Sequence, residues 1–208
     1  MEIQSNSLIL KTFDIKQHDI YLNGDITEAQ FKTFQKEINE VVKEDEYIIR
    51  NNLNSITQCN FISNQSILEF QRPDINIYMS TYGGIVYEAF AYYDLITSLK
   101  EKYNVNIYCS GKIMSAGTII LQAATKRIAS KNTFFMVHEI SSESWGKLED
   151  VINSVEHCKV LKDLMTNIYL EHSSFTKKQL DDIFGKQKDF YFDADNALNK
   201  YGFIDEIR

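Results

Sequence analysis

The alternation of apolar and polar positions divides the chain into short strand-like runs and longer amphipathic stretches. Asp19–Leu22 is a short apolar run closed by Asn23-Gly24-Asp25, a turn signal. Thr27 then opens a pattern that places Phe31, Phe34, Ile38, Val41 and Val42 on one helical face. Ile75–Met79 reads as a second strand, ending at Ser80-Thr81-Tyr82-Gly83-Gly84. Ala89, Phe90, Tyr93, Ile96 and Leu99 mark a second helix, and Val105–Cys109 a third strand that ends at Ser110-Gly111. A small-residue helix follows from about Ser115 to Ala124. Ile128 and then Phe134–Val137 suggest further short strands. The longest helical pattern covers Lys147–Leu170, with Val151, Ile152, Val155, Val160, Leu161, Leu164 and Ile168 as its apolar positions. Thr176 and Gln179 have the spacing of a capping box for one more helix. Strands alternating with helices predict an α/β layered domain on a mainly parallel sheet.

Glu44–Arg72 breaks this rhythm. It is polar and Asn-rich, with Ile48-Ile49 and Ile67-Leu68 as its main apolar pairs. It reads as a surface insertion in the form of a small hairpin, set within one domain that starts near Asp19 after a short segment 1–18. The chain has 208 residues, enough for one substantial core and too few for two ordinary domains.

Charge and composition narrow the function. A net charge of −7 disfavours nucleic acid as the main partner, because phosphate binding depends on Lys and Arg. The chain contains no apolar run of the ~18 residues a membrane span needs, and its start lacks a secretory layout. Cys59, Cys109 and Cys158 share no metal-ligand spacing; free thiols in a reducing cytoplasm are the expectation, with no metal or organic cofactor.

Four segments could carry chemistry, and each has a plainer reading. Gly83-Gly84 after a strand lets the backbone turn sharply and present N–H groups to an oxyanion or an extended peptide, or is a tight turn into the next helix. Ser115, among small residues between strand and helix, has an exposed hydroxyl at a helix N-terminus, or is an N-cap. His138 ends an apolar strand within reach of a neighbouring hydroxyl, or is a satisfied rim histidine. Asp189, before Phe190-Tyr191-Phe192, could orient an imidazole, or close a turn.

In this order the segments resemble the ClpP family, the proteolytic subunits of Clp proteases. Ile75–Gly84 is similar to the strand that leads to the family's Ser-Pro-Gly-Gly loop. Gly111–Gly117 resembles the nucleophile segment, Phe135-Met-Val-His138 the strand bearing the catalytic histidine, and Lys188-Asp189 with Ala197–Asp205 the stretch from the catalytic aspartate to a Tyr-Gly-hydrophobic-hydrophobic-Asp ending. The match runs from about Asp19 to Asp205, interrupted by the insertion. The resemblance implies a crotonase-like spiral of ββα units with Lys147–Leu170 in a protruding handle. It implies a Ser115–His138–Asp189 triad, with Gly83 beside the substrate and the Gly84 and Ala116 N–H groups as oxyanion donors. It further implies two stacked seven-membered rings, a tetradecamer, enclosing a chamber in which unfolded polypeptides or short peptides are cut, and a Clp or Hsp100 ATPase that feeds them in.

Departures from the family pattern are local. Tyr82 replaces the proline before the paired glycines, and Glu139-Ile140 replaces the usual Gln-Pro after the histidine. One extra residue lies between Asp189 and Tyr201-Gly202, which makes Asp193 the alternative orienter. Tyr78 matches a hydrophobic ATPase-docking position and Ser98 stands where an aromatic is common. Lys188 occupies a place where a basic residue pairs across the ring–ring contact. The region before Asp19 lacks a match to the family's axial loops. That leaves three other readings: an ATPase-independent, virus-type processing peptidase; an inactive ring subunit, which would ordinarily lack a triad residue; and a crotonase-fold acyl-CoA enzyme, which would have no triad.

Overall fold

Alternating burial shapes the first strand, β1 (His18–Asn23), whose Ile20 and Leu22 point into the core while Tyr21 faces out. The fold was obtained as a computed structural model and describes residues 17–58, 72–185 and 189–208. After β1 comes α1 (Glu28–Gln58), then β2 (Ile75–Thr81), α2 (Val86–Leu99), β3 (Val105–Met114), α3 (Ala116–Leu121), β4 (Lys126–Ala129) and β5 (Phe134–Val137). The chain continues through α4 (Leu148–His172), α5 (Lys177–Gly185), β6 (Phe190–Asp193), α6 (Ala194–Asn199) and β7 (Glu206–Ile207). Strands β1, β2, β3, β4 and β7 form a parallel sheet in that order. This is the mixed α/β architecture that the alternating pattern predicts. None of the described helices is long and apolar enough to cross a membrane.

Strand β3 changes partners along its length. Its first half lies between β2 and β4, with Cys109 opposite both Met79 and Ala129. Its last three residues, Lys112–Met114, pair instead with Phe134–Met136 of β5, and β6 adds to β5 antiparallel. At this transition two steps along β2, Met79 to Thr81, match four along β3, Cys109 to Ile113. Gly111, at φ 66°, takes up the irregularity. The Ser110-Gly111 boundary expected from sequence is therefore a bulge within one strand, not its end.

The segment 44–72 also needs correction. Helix α1 runs on to Gln58, so its first half is helix rather than an inserted hairpin; residues 59–71 lie outside the described residues. Asp45 explains why the helix is hard to see. It falls on the core-facing stripe after Phe34, Ile38 and Val41, fully buried, and His18 Nε2 meets its carboxylate at 3.1 Å. A polar residue in a core position interrupts the apolar period while leaving the helix intact.

Two surfaces of the fold bear on function. On the open face of the sheet Tyr21, Tyr78 and Tyr108 stack in a row, with ring centroids 5.2 and 5.1 Å apart. Helix α4 enters the core only in its second half, through Leu161, Met165 and Tyr169. Its first half projects, leaving Leu148, Ile152, Val155 and Val160 exposed. Helix α5 opens with the expected reciprocal cap: Gln179 N–H donates to Thr176 Oγ1 and Thr176 N–H to Gln179 Oε1.

Candidate active site

The site grows out of the partner change in β3. Beyond Met114 the chain turns into α3 through Ser115, whose φ of 51° and ψ of −126° lie where a side chain is strained. Ser115 N–H donates to the Met136 carbonyl at 2.8 Å, so the strand pairing itself holds the turn. On the far side, Thr118 N–H and Oγ1 both donate to the Ser115 carbonyl, at 2.9 and 2.5 Å. With its one proton on that carbonyl, Thr118 accepts from Tyr169 Oη of α4 at 2.7 Å. Tyr169 is fully enclosed, and burial pushes its phenol well above the ordinary tyrosine range. It acts as a neutral donor.

His138 follows β5 directly, and its Nε2 lies 2.7 Å from Ser115 Oγ. The β5–β6 register pairs Val137 with Phe190, so the next step brings His138 opposite Asp189. His138 Nδ1 and Asp189 Oδ1 are 3.7 Å apart. The Asp189 carboxylate is half exposed and takes a hydrogen bond from Tyr191 Oη on Oδ2 at 3.2 Å. The alternative, Asp193, is occupied elsewhere. It caps α6 by accepting from Asn196 N–H at 2.8 Å, and that backbone bond holds its pKa below the ordinary carboxylate value.

Gly83 and Gly84 close the other wall. Gly83, at φ 105°, packs so tightly that a Cβ there would lie 2.7 Å from Ser115 Cβ and 2.8 Å from the Met114 carbonyl. Gly84 forms a parallel bridge with Ile26 whose bonds are made by its neighbours: Ile26 N–H donates to Gly83 O and Ile85 N–H to Ile26 O. The Gly84 N–H is left outside that bridge. Ala116 is the first residue of α3, and its N–H has no acceptor within the helix. Next to the glycines Tyr82 is exposed, with Lys112 Nζ 4.1 Å from its ring centroid. Glu139 lies 3.9 Å from Lys162 of α4.

The structure thus brings Ser115, His138 and Asp189 into one line and sets Gly83, Gly84 and Ala116 beside the serine. An imidazole with a hydroxyl at one nitrogen and a carboxylate facing the other can take the hydroxyl's proton while the carboxylate stabilises its positive charge, and free N–H groups can receive an oxyanion. The sequence reading missed Thr118, Tyr169 and Tyr191. Thr118 had a weak signal, a hydroxyl three residues after the serine. Tyr169 had none, because it comes from a helix remote in sequence. Of the other histidines, His157 bonds Tyr87 and His172 bonds Tyr93, each through the tyrosine hydroxyl and away from this site. Cys109 is buried, which pushes its thiol pKa up, and Cys158 is half-buried and free; Cys59 and Lys188 lie outside the described residues.

Comparison with known proteins gives two findings. The sequence profile of the Clp protease family matches residues 28–208. An ATP-dependent Clp protease proteolytic subunit from Deinococcus radiodurans is 30% identical over 145 residues, which cover 68% of this chain and 69% of that relative.

Proposed function

Since this chain belongs to the Clp protease family, we propose that it is a serine endopeptidase subunit whose nucleophile is Ser115, with His138 as base and Asp189 as its orienter. The observation that carries this reading is the 2.7 Å approach of His138 Nε2 to Ser115 Oγ, with Asp189 on the opposite ring nitrogen. In the reaction, His138 takes the Ser115 proton as Oγ attacks a peptide carbonyl. The negative charge that develops on the carbonyl oxygen meets the Gly84 and Ala116 N–H groups. His138 then passes its proton to the departing amine, and water repeats the sequence to release the acyl group. Asp189 keeps Nδ1 protonated and stabilises the imidazolium. Substrate lies extended along Gly83-Gly84, so that backbone pairing supplies affinity with little sequence preference. No cofactor enters any step.

Assembly and partners belong to the same proposal. The exposed apolar half of α4 supports a ring-on-ring contact, because a lone subunit would leave Leu148, Ile152, Val155 and Val160 in water. Two stacked heptamers in the cytoplasm are the arrangement we propose. The Tyr21–Tyr78–Tyr108 row supports docking of a Clp-type ATPase on the outer face of the ring.

The test is fluorophosphonate labelling of the purified protein beside its Ser115→Ala variant. Labelling and peptide hydrolysis by the parent alone are expected. A parent that neither labels nor hydrolyses peptide as an assembled particle would be an inactive ring subunit. Equal labelling of the variant would move the nucleophile elsewhere.

A further inference from the structure

Asp189 stands in an unusual position for the carboxylate of a charge-stabilising pair. Half of its side chain is exposed, and its separation from His138 Nδ1, 3.7 Å, is longer than a hydrogen bond. A carboxylate in water can rotate about two side-chain bonds, and most of its orientations point both oxygens away from the imidazole. Something must hold it. Among the described residues, the one hydrogen bond that Asp189 accepts comes from Tyr191 Oη on Oδ2, leaving Oδ1 as the oxygen that faces His138.

The strand geometry makes this contact systematic. Residues two apart in a strand share a face, so Tyr191 and Asp189 emerge on the same side of β6. The antiparallel pairing with β5 puts Met136 beside Tyr191 and brings His138 beside Asp189 at the next position on that face. Tyr191 is thus rooted on the same two-strand ladder as the pair it serves. Its hydrogen bond to Asp189 also raises the phenol pKa, so that the hydroxyl stays a neutral donor through the working range of a histidine base.

We propose that Tyr191 is a positioning residue for the reaction: its hydroxyl fixes one carboxylate oxygen of Asp189 so that the other is directed at His138 Nδ1. This inference rests on the peptidase reading above. Tyr191 is more than half exposed, so Tyr191→Phe removes one oxygen atom with little effect on packing.

The experiment is a double-mutant cycle with Tyr191→Phe and Asp189→Asn, measured as kcat and KM of peptide hydrolysis in the assembled enzyme. Tyr191→Phe is expected to lower kcat about tenfold, the loss of one hydrogen bond to a charged group, with KM unchanged. On the Asp189→Asn background the same substitution is expected to add almost nothing. An equal loss on both backgrounds, or a loss carried by KM with kcat unchanged, overturns the proposal. So does a faster variant, since Tyr191 would then be drawing the carboxylate away from His138. A parent enzyme that fails the Ser115 labelling test overturns the peptidase reading itself, which separates the two failures.

Discussion

Replacing Ser115 by glycine and by alanine separates the chemistry of this residue from its conformation. At φ 51° and ψ −126° the residue sits where glycine is at ease and any Cβ is crowded. Holding a side-chain residue in such a region costs about 1–3 kcal/mol. Alanine keeps that strain and loses the hydroxyl, whose 2.7 Å bond to His138 is worth roughly 0.5–1.5 kcal/mol. Glycine loses the hydroxyl but relieves the strain, at an expense of roughly 0.4–1 kcal/mol from its freer unfolded chain. Glycine should therefore exceed alanine by about 0.5–2 kcal/mol, a difference near 2–4 °C in melting temperature for each kcal/mol in a chain of this size. Alanine should be the least stable of the three, while the serine enzyme and the glycine variant lie close together. Both variants should be inactive. The assay is thermal and denaturant unfolding of all three proteins at one protein concentration, so that assembly contributes equally. If alanine is as stable as glycine, the backbone at 115 relaxes freely and the strain is not a property of the turn.

Two further outcomes follow from the ion contacts. Asp189→Asn should lower kcat by ~10³–10⁴, as expected for loss of the correct tautomer, whereas Asp193→Asn should leave kcat near the parent value and affect only the α6 cap; steady-state peptide hydrolysis distinguishes them. Arg127 holds Asp205 through Nη2–Oδ1 at 2.6 Å and Nε–Oδ2 at 3.0 Å, and also reaches Gln122 Oε1 and the His172 carbonyl. Arg127→Ala should destabilise the protein by roughly 2–4 kcal/mol, somewhat under the full value for a buried pair because Asp205 is partly wet. Burial works against the Asp205 charge, but its bonds to Arg127 outweigh burial and keep its pKa below the ordinary value. A lowered carboxylate pKa stabilises the fold fully above the unfolded pKa of ~3.9 and ceases to do so as pH falls through the folded one. The stability gap between parent and variant should thus be constant near neutrality and narrow in acid; a gap that widens there would refute this account.

Much of the layout was legible because burial imposes simple periods. Ile20 and Leu22 alternate with exposed neighbours, and Phe34, Ile38 and Val41 repeat at helical spacing, so β1 and the start of α1 declare themselves. The Thr176/Gln179 cap is a local chemical bargain and needs no tertiary information. What escaped notice depended on distant partners. Asp45 is buried because His18 meets it from another element, and no local pattern encodes that. The tail of β3 looked like a turn, because Ser110-Gly111 has turn chemistry; only the arrival of β5 makes it a strand. Asp189 and Asp193 were not separable by type. The ladder distinguishes them geometrically, setting Asp189 opposite His138 and Asp193 at the mouth of a helix. The tyrosines behind and beside the site come from α4 and β6, and their roles exist only in three dimensions.

The switch of β3 from β4 to β5 has one more consequence. Ser115, His138 and Asp189 stand at the ends of three laterally bonded strands, so the distances between their side chains are counted in whole residues. A strand cannot be shifted by a fraction of its repeat. Adding or deleting one residue within β5 would turn His138 to the opposite face and abolish its approach to Ser115 altogether. Changes in the 139–147 connection, the far end of α1 or the first half of α4 have no such leverage, because none is a rung of that ladder. Variation in this protein is thus divided in kind: within the three strands it is all or nothing, and around them it can be gradual.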